Sequence, residues 1–209
     1  MPSTYPETTL PLSEFFKEGT RQDHEQLDQR IMALSPFSSP ARYALFVRTQ
    51  ARLHRVVSPW YQSEELKVWL PDLQERDRLD AVLKDCADFG LDAQAFEVDA
   101  QASTRVRVDD SYAALGWLYT VEGSNLGAAF LLKHAKTHLG LSETFGARHL
   151  AGHDGGRGLF WRRFKERLDG IDLSDQQRKN ALGGALAAFG FARLGVEELL
   201  APAAEADAV

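Results

Sequence analysis

The sequence has a single cysteine, Cys86, and no long apolar run. One cysteine excludes an internal disulfide and a metal site built from several cysteines. A membrane-spanning helix needs about 20 consecutive apolar residues, and no run approaches that length. The first residues, MPSTYPETTLPL, lack a basic region followed by an apolar stretch. We therefore expect no secretory signal peptide and a cytoplasmic protein.

Several catalytic motifs are also missing. The chain has no Walker loop, no G-x-S-x-G and no G-x-G-x-x-G after a strand. The absence of E-x-x-H argues against a di-iron carboxylate bundle. The net charge is −6, with acids and bases mixed along the chain. This balance argues against nucleic acid or an anionic membrane as partner, whereas an anionic small molecule could still bind a local basic cluster.

What the sequence does have is a period of 3.6 residues in its apolar positions, and no segment alternates as a strand does. The predicted helices span about residues 13–34, 40–60, 71–89, 155–168 and 174–199, and a further helix runs from a cap at 109 or 111 to about 139. We expect a connection over 91–108 and flexible tails over 1–9 and 201–209. The predicted fold is all-α, with one domain over residues 10–200.

Helix boundaries follow from capping residues. Ser13 is a candidate N-cap, Ser39-Pro40 is an N-cap followed by proline, and Asp109 or Ser111 is expected to cap the fourth helix. The run Ser174-Asp175-Gln176-Gln177 has the pattern of a capping box. Gly90 and Gly140 are expected to end two of the helices.

The segment LGWLYTVEGSNLGAAFLLKHA carries three glycines inside a predicted helix, at a cost of about 1 kcal/mol each relative to alanine. At 100° per residue, Gly123 and Gly127 lie about 20° to either side of Gly116. All three fall on one stripe, and we expect the helix to bend there. The bare backbone fits two explanations, which are close approach of a flat ligand and tight packing of another helix.

His24 lies on the apolar face of the first predicted helix, with Leu27. It is either a core histidine or a metal ligand. Asp28, at i+4, could accept a proton from one ring nitrogen and leave the other free for a metal. Lys17 and Arg21 lie along the same helix and are either a solvated basic edge or a binding surface. An imidazole with two nearby cations suits a flat metallo-cofactor that bears carboxylates.

Two H-x-x-x-H pairs, His134 with His138 and His149 with His153, have the spacing that lets two imidazoles share a metal on a helix. Neither pair has an obvious third ligand nearby, so we interpret all four as surface histidines. The glycine-rich GHDGGRG at 152–158 follows no strand, and we interpret it as a flexible loop.

YTVEGSNLGAAFLLKHA, preceded by ALGW and followed by FGARHL and LDGI, resembles the bacterial heme oxygenases of the type found in pseudomonads. The resemblance runs from about Phe15 to Leu199. It implies a helical fold that holds heme between a proximal helix and a kinked distal helix. Heme would be both substrate and cofactor, and the products would be biliverdin, carbon monoxide and ferrous iron.

The resemblance also implies roles for residues of the first helix. His24 matches the proximal ligand of the heme iron, and Asp28 matches an acidic position beside that imidazole. Lys17 and Arg21 match basic positions that approach the heme propionates. A neutral histidine does not push hard for O–O cleavage, which suits oxygen attack on the porphyrin itself.

On the distal side, Gly123 and Gly127 match the glycines over the iron, and Tyr119 matches an aromatic residue at the heme edge. Ser124 stands where animal enzymes carry an aspartate, so Asn125 or backbone carbonyls would have to organise water.

Some pseudomonad enzymes carry lysines where this chain has Met32 and His134. Both positions bear on how heme is rotated in the pocket. They leave the biliverdin isomer open.

The function we expect is a cytoplasmic heme oxygenase that uses O2 and electrons from a ferredoxin or a flavin reductase. Its purpose would be iron acquisition or supply of bilin to a phytochrome. One alternative is a heme-binding carrier or sensor without turnover. Another is a helical bundle unrelated to heme, in which the glycines serve packing alone.

Overall fold

The computed structural model describes residues 9–153 and 155–206, and within these residues the chain is helical and has no β-strand. The α-helices are α1 (Leu12–Ala33), α2 (Pro40–Tyr61), α3 (Glu64–Trp69), α4 (Leu79–Asp88), α5 (Ala93–Thr104), α6 (Ser111–Leu139), α7 (Arg157–Asp169), α8 (Asp175–Leu199) and α9 (Ala201–Ala206). Short 3₁₀ turns occur at Leu73–Arg76 and Arg148–Leu150. Of these helices, none is long and apolar enough to cross a membrane.

Most of the predicted caps are confirmed. The Ser39 side chain accepts a hydrogen bond from the Arg42 amide at the start of α2. Ser174 and Gln177 form the predicted capping box of α8. Gly140 ends α6 in the left-handed conformation, at φ +66°. The cap of α6 is Asp110, which lies between the two predicted candidates and accepts from Ala113.

The prediction that Ser13 caps the first helix is wrong. The N-cap is Pro11, and Ser13 is buried within the first turn of α1. Its amide and hydroxyl both donate to the carboxylate of Asp169, at 2.7 and 2.9 Å. The first amides of a helix have no partner within it, and here the end of α7 supplies one.

The predicted helix over 71–89 is broken in two. A 3₁₀ turn occupies Leu73–Arg76, and α4 begins only at Leu79. The break turns Arg76 inward, where its side chain is 1% exposed and pairs with Glu122 of α6. Gly90 adopts φ +64° just after α4, as predicted.

The predicted connection over 91–108 contains a helix, α5, which begins after the N-cap Asp92. Its apolar periodicity is weak, and it is attached to α2 through charge. Asp99 is buried and accepts hydrogen bonds from Arg48 and Arg52 at 2.7 to 3.1 Å. The polar anchoring explains why the hydrophobic pattern did not reveal this helix.

The predicted C-terminal tail over 201–209 is wrong for residues 201–206, which form α9 with Ala201 buried. Residues 207–209, and residues 1–8 of the predicted N-terminal tail, lie outside the described residues.

The core consists of two apolar clusters, which contact different halves of α6. One joins the first halves of α1 and α6 to α7 and α8 through residues such as Phe15, Trp117 and Phe164. The other joins α2 and α4 to the second half of α6 through residues such as Phe46 and Leu132. Because α6 contributes to both clusters, its position is fixed along most of its length.

The glycines of the stripe lie in different surroundings. At Gly116 an added Cβ would lie 1.8 Å from the carbonyl oxygen of Ala181 and 2.5 Å from the amide of Ala185. At Gly184 of α8 it would lie 2.0 Å from the carbonyl of Ala113. Gly116 therefore serves tight packing of α6 on α8. At Gly127, among the described residues, no atom outside the adjacent turns of α6 lies within 4 Å of the added Cβ.

We expect Gly116→Ala to destabilise the protein by about 1–3 kcal/mol, because the two helix backbones must separate to admit the methyl group. Gly127→Ala is the matched control on the same stripe, and it should raise stability by up to about 1 kcal/mol. Urea unfolding of both variants measures the difference. Equal effects of the two substitutions would contradict the assignment of Gly116 to packing.

Candidate functional site

Two ring contacts join α1 and the turn that follows it to α6, and we call the surface between these contacts the cleft. At one end Phe16 of α1 meets Tyr119 of α6, with ring centroids 5.0 Å apart. At the other end Phe37, beyond α1, lies 5.4 Å from the ring of His134. His24 follows Phe16 by eight residues, and Gly127 follows Tyr119 by eight. At 1.5 Å per residue, each lies about 12 Å from the first contact along its own helix.

The middle of the cleft is open and largely apolar. The His24 side chain is 57% exposed, and its ring meets the ring of Phe189 of α8 at 5.9 Å. Gly127 is exposed, and so are three large apolar side chains of these two helices, Leu126 and Phe130 of α6 and Met32 of α1, at 37% to 55%. Such a concentration of exposed apolar surface marks a binding site rather than a finished core.

Asp28 lies close to His24 on α1, as the i+4 spacing predicted. Nδ1 of His24 is 3.6 Å from the Asp28 carboxylate, which is just beyond hydrogen-bond distance. Lys17 is exposed and pairs with Glu14 at 3.1 Å, and Arg21 is exposed. The interpretation of His24 as a core histidine is wrong, because more than half of its side chain is accessible.

Two of the predicted distal residues lie next to α7. An added Cβ at Gly123 would lie 3.5 Å from the Trp161 ring, an ordinary contact distance. Tyr119 is 9% exposed and packs between Phe16 and Trp161, at 5.0 and 5.4 Å. Burial raises the pKa of its phenol, so Tyr119 stays neutral.

Ser124, Asn125 and His134 are placed differently from one another. The Ser124 hydroxyl donates to the Val121 carbonyl at 2.7 Å, so its proton is already used within α6. The carbonyl of Asn125 accepts from Arg157 at 2.9 Å. His134 is half-buried, with the ring of Phe130 at 4.4 Å and that of His138 at 5.4 Å.

The interpretation of both H-x-x-x-H pairs as surface histidines is wrong for His149, which is 4% exposed. Its Nδ1 lies 2.7 Å from the carboxylate of Asp85, which also accepts from the His149 amide. His153 is half-buried and stacks on Phe160 with ring centroids 3.5 Å apart. Residues 9–153 and 155–206 hold no group of three side chains that could bind a metal.

A buried polar network, which was not predicted from the sequence, lies directly before Gly123. Glu122 is 3% exposed and accepts hydrogen bonds from the Tyr61 hydroxyl at 2.7 Å and from Arg76 at 2.8 Å. Burial raises the pKa of Glu122, and its two partners oppose that rise. The sequence signal for this network was Glu122 itself, a single acidic residue in the apolar run that precedes Gly123. The network fixes the position of α6 directly before its two glycines, Gly123 and Gly127.

A second missed feature is His54 of α2, which is 5% exposed. Burial lowers its pKa from the ordinary 6.5 to about 3, and the nearby His149 and Arg78 act in the same direction. His54 is therefore neutral in the folded protein at every pH near neutrality.

This shift makes folding acid-sensitive. The unfolded chain binds a proton at His54 below pH 6.5, whereas the folded chain does so only near pH 3. His54 therefore adds no pH dependence to the free energy of unfolding above pH 6.5. Below pH 6.5 it lowers that free energy by about 1.4 kcal/mol per pH unit. We expect His54→Gln to remove that part of the slope in urea unfolding measured between pH 7.5 and pH 5. If the free energy of unfolding had the same pH dependence in the wild type and in His54→Gln, His54 would not be the source of the acid sensitivity.

The described residues form an all-α protein with an accessible histidine on α1 and an exposed, uncovered glycine position on α6. The sequence model of the heme oxygenase family matches residues 10–198. The chain is 41% identical to heme oxygenase PigA of Pseudomonas aeruginosa over 171 residues, which is 81% of this chain and 83% of that protein. The chain belongs to the heme oxygenase family, which comprises oxidoreductases that degrade heme.

Solved structures agree with this assignment. The NO- and CO-bound heme oxygenase of Neisseria meningitidis has a TM-score of 0.81 and 35% identity, with 92% of this chain and 93% of that chain covered. The heme oxygenase of Leptospira interrogans, at 16% identity, has a TM-score of 0.74 over 91% of this chain and 100% of that chain. The second of these shows likeness of fold alone.

Proposed function

We propose that the chain binds heme in the cleft between α1 and α6 and opens it to biliverdin, carbon monoxide and ferrous iron, the general reaction of its family. The observation that supports this proposal is that His24 and Gly127 are both exposed and each follows the Phe16–Tyr119 contact by eight residues. The second contact, between Phe37 and His134, lies beyond both of them along the chain.

The residues fit an iron porphyrin. Since Nδ1 of His24 faces Asp28, Nε2 is the nitrogen left to ligate iron. A carboxylate behind a ligating histidine fixes the orientation of the ring and raises its basicity. The exposed apolar side chains of Leu126, Phe130 and Met32 would cover the macrocycle and remove their own surface from water.

The polar edge of heme carries two carboxylates, and Lys17 and Arg21 are the proposed partners. Both are exposed on the same helix as His24. Lys17 would exchange its exposed ion pair with Glu14 for a propionate, at little cost, because exposed ion pairs contribute about 0–1 kcal/mol. At the far end of the cleft, His134 would contact the heme edge beside Phe37 and Phe130.

The distal wall would be the α6 backbone at Gly123 and Gly127. Bound heme supplies the iron that reacts with O2 and electrons, and the protein has to keep acid–base side chains away from that face. Ser124 holds its proton within α6, and Glu122 is buried against Tyr61 and Arg76. We infer that backbone groups near Asn125 hold water on this wall. Because glycines lack side chains, the α6 backbone would lie close to the heme and direct oxygen toward the porphyrin ring.

The partners are part of the proposal. The electron donor would be a ferredoxin or a flavin reductase, and the product would serve iron acquisition or reach a phytochrome as chromophore. The proposed setting is the cytoplasm, which agrees with a lone Cys86 that is buried and unpaired.

Turnover of hemin tests the proposal. The purified protein is loaded with hemin and supplied with ascorbate or a ferredoxin system in air, with catalase present, while the visible spectrum is followed. We expect loss of the Soret band and one biliverdin isomer on chromatography. A persistent oxy or ferric spectrum without biliverdin would favour a heme carrier instead.

A further inference from the structure

The last two turns of α6 carry two histidines whose rings face each other. His134 and His138 are one turn apart, with ring centroids separated by 5.4 Å and an angle of 26° between the ring planes. His138 is exposed and His134 is half-buried. Within residues 9–153 and 155–206, no hydrogen bond or ion pair uses the nitrogens of either ring. Both imidazoles are therefore available as ligands.

The other H-x-x-x-H pair, His149 and His153, has the same sequence spacing without this geometry. His149 lies in the 3₁₀ turn Arg148–Leu150 and is 4% exposed, and its Nδ1 is 2.7 Å from the Asp85 carboxylate. His153 lies outside any helix and stacks on Phe160. The spacing brings two imidazoles onto one face only where the chain is a continuous α-helix, as it is in α6.

Two imidazoles at the separation seen on α6 can reach one metal ion. Metal–nitrogen bonds measure about 2.0–2.1 Å, so the two ligating nitrogens must come within about 3–3.5 Å of each other. The nitrogens lie on the rims of the rings, and rotation of the exposed His138 side chain brings them that close. The ring of His134 is already held in place, since Phe130 and Phe37 contact it at 4.4 and 5.4 Å.

We propose that His134 and His138 together bind one divalent transition-metal ion, with Cu²⁺ bound most tightly. Imidazole nitrogen suits Cu²⁺, Ni²⁺ and Zn²⁺, whereas Mg²⁺ and Ca²⁺ take oxygen ligands. Among the first-row divalent ions, the affinity of a nitrogen site is highest for Cu²⁺. The described part of the chain holds no group of three candidate ligands, so water would complete the coordination and the ion would exchange readily.

Copper binding to the heme-free protein tests the site independently of turnover. Calorimetry should show one Cu²⁺ bound by the pair, and pulsed electron paramagnetic resonance should detect two imidazoles on that ion. We expect His138→Gln to weaken this binding at least about tenfold, because α6 holds the second imidazole at a high effective concentration. The variant should fold because His138 is exposed, and circular dichroism checks this.

The matched control keeps the number of histidines and changes only their spacing. In the double variant Lys136→His with His138→Gln, the second imidazole follows His134 by two residues and lies on the opposite side of α6. It should bind Cu²⁺ as weakly as His138→Gln does. Equal Cu²⁺ affinity in the wild type and both variants would show adventitious binding elsewhere and overturn the proposal. A single imidazole on the ion in the wild type would overturn it as well.

Competition with hemin extends the proposal to the cleft, and this step rests on the proposed function. His134 is the proposed contact of the heme edge, so an ion that holds its ring should oppose heme binding. We expect saturating Ni²⁺ to weaken hemin binding to the wild type severalfold and to leave His138→Gln unchanged. No weakening in the wild type, or equal weakening in both proteins, would overturn this coupling. Failure of the proposed function would differ, because hemin would then bind without forming biliverdin.

Discussion

In His24→Ala the bound hemin is expected to lose the spectrum of an imidazole-ligated ferric heme, and ring opening should fall by about 100-fold or more. Loss of outer-shell partners alone costs 10–100-fold at metal sites, and here the ligand itself is removed. The fold should survive because the His24 side chain is 57% exposed. Optical and electron paramagnetic resonance spectra of the hemin complexes measure the change.

Free imidazole supplies the decisive control for this variant. If the only defect is the missing ligand, imidazole added to His24→Ala should restore the spectrum and part of the turnover. Asp28→Asn should keep the ligand and change its basicity, giving a smaller loss of about 10-fold. An unchanged ferric spectrum in His24→Ala would contradict the assignment of the ligand.

Gly127→Leu should suppress biliverdin formation by about 100-fold or more while leaving the protein folded. No atom lies within 4 Å of a Cβ at this position, so the heme-free protein can accept the side chain. In the complex the same side chain would fill the space where oxygen has to bind and turn toward the ring, and small displacements at a reacting centre cost about 100-fold. Biliverdin yield in single turnover measures the loss.

Gly183→Leu is the matched control, because Gly183 is also an exposed helical glycine with no atom within 4 Å of an added Cβ. It lies on α8, away from the proposed distal wall, and should open heme at the wild-type rate. Wild-type turnover in Gly127→Leu, or an equal loss in both variants, would contradict a specific role for the bare backbone.

The long amphipathic helices could be predicted from the sequence because burial imposes a 3.6-residue period on α1, α2, α6 and α8. The helix α5 escaped prediction because buried charge, rather than apolar contact, attaches it to α2. The break before α4 was also hidden. It follows from pairing of Arg76 with Glu122, 46 residues away, and local pattern contains no such information.

The candidate site, too, was predicted only where the information is local in the sequence. The spacing of His24 and Asp28 on one helix is local, and their proximity was predicted correctly. The glycine stripe was predicted as one surface, yet α8 covers Gly116 and leaves Gly127 open. Only the arrangement of neighbouring helices separates these cases. For the same reason, the buried Asp85–His149 pair could not be distinguished from a surface histidine.

A crystal structure of the hemin complex tests the central claim most directly. We predict that the iron is bonded to Nε2 of His24, with the α6 backbone between Gly123 and Gly127 against the opposite face. The propionates should lie toward Lys17 and Arg21. Iron bonded to another histidine, or heme bound outside the cleft between α1 and α6, would contradict the account.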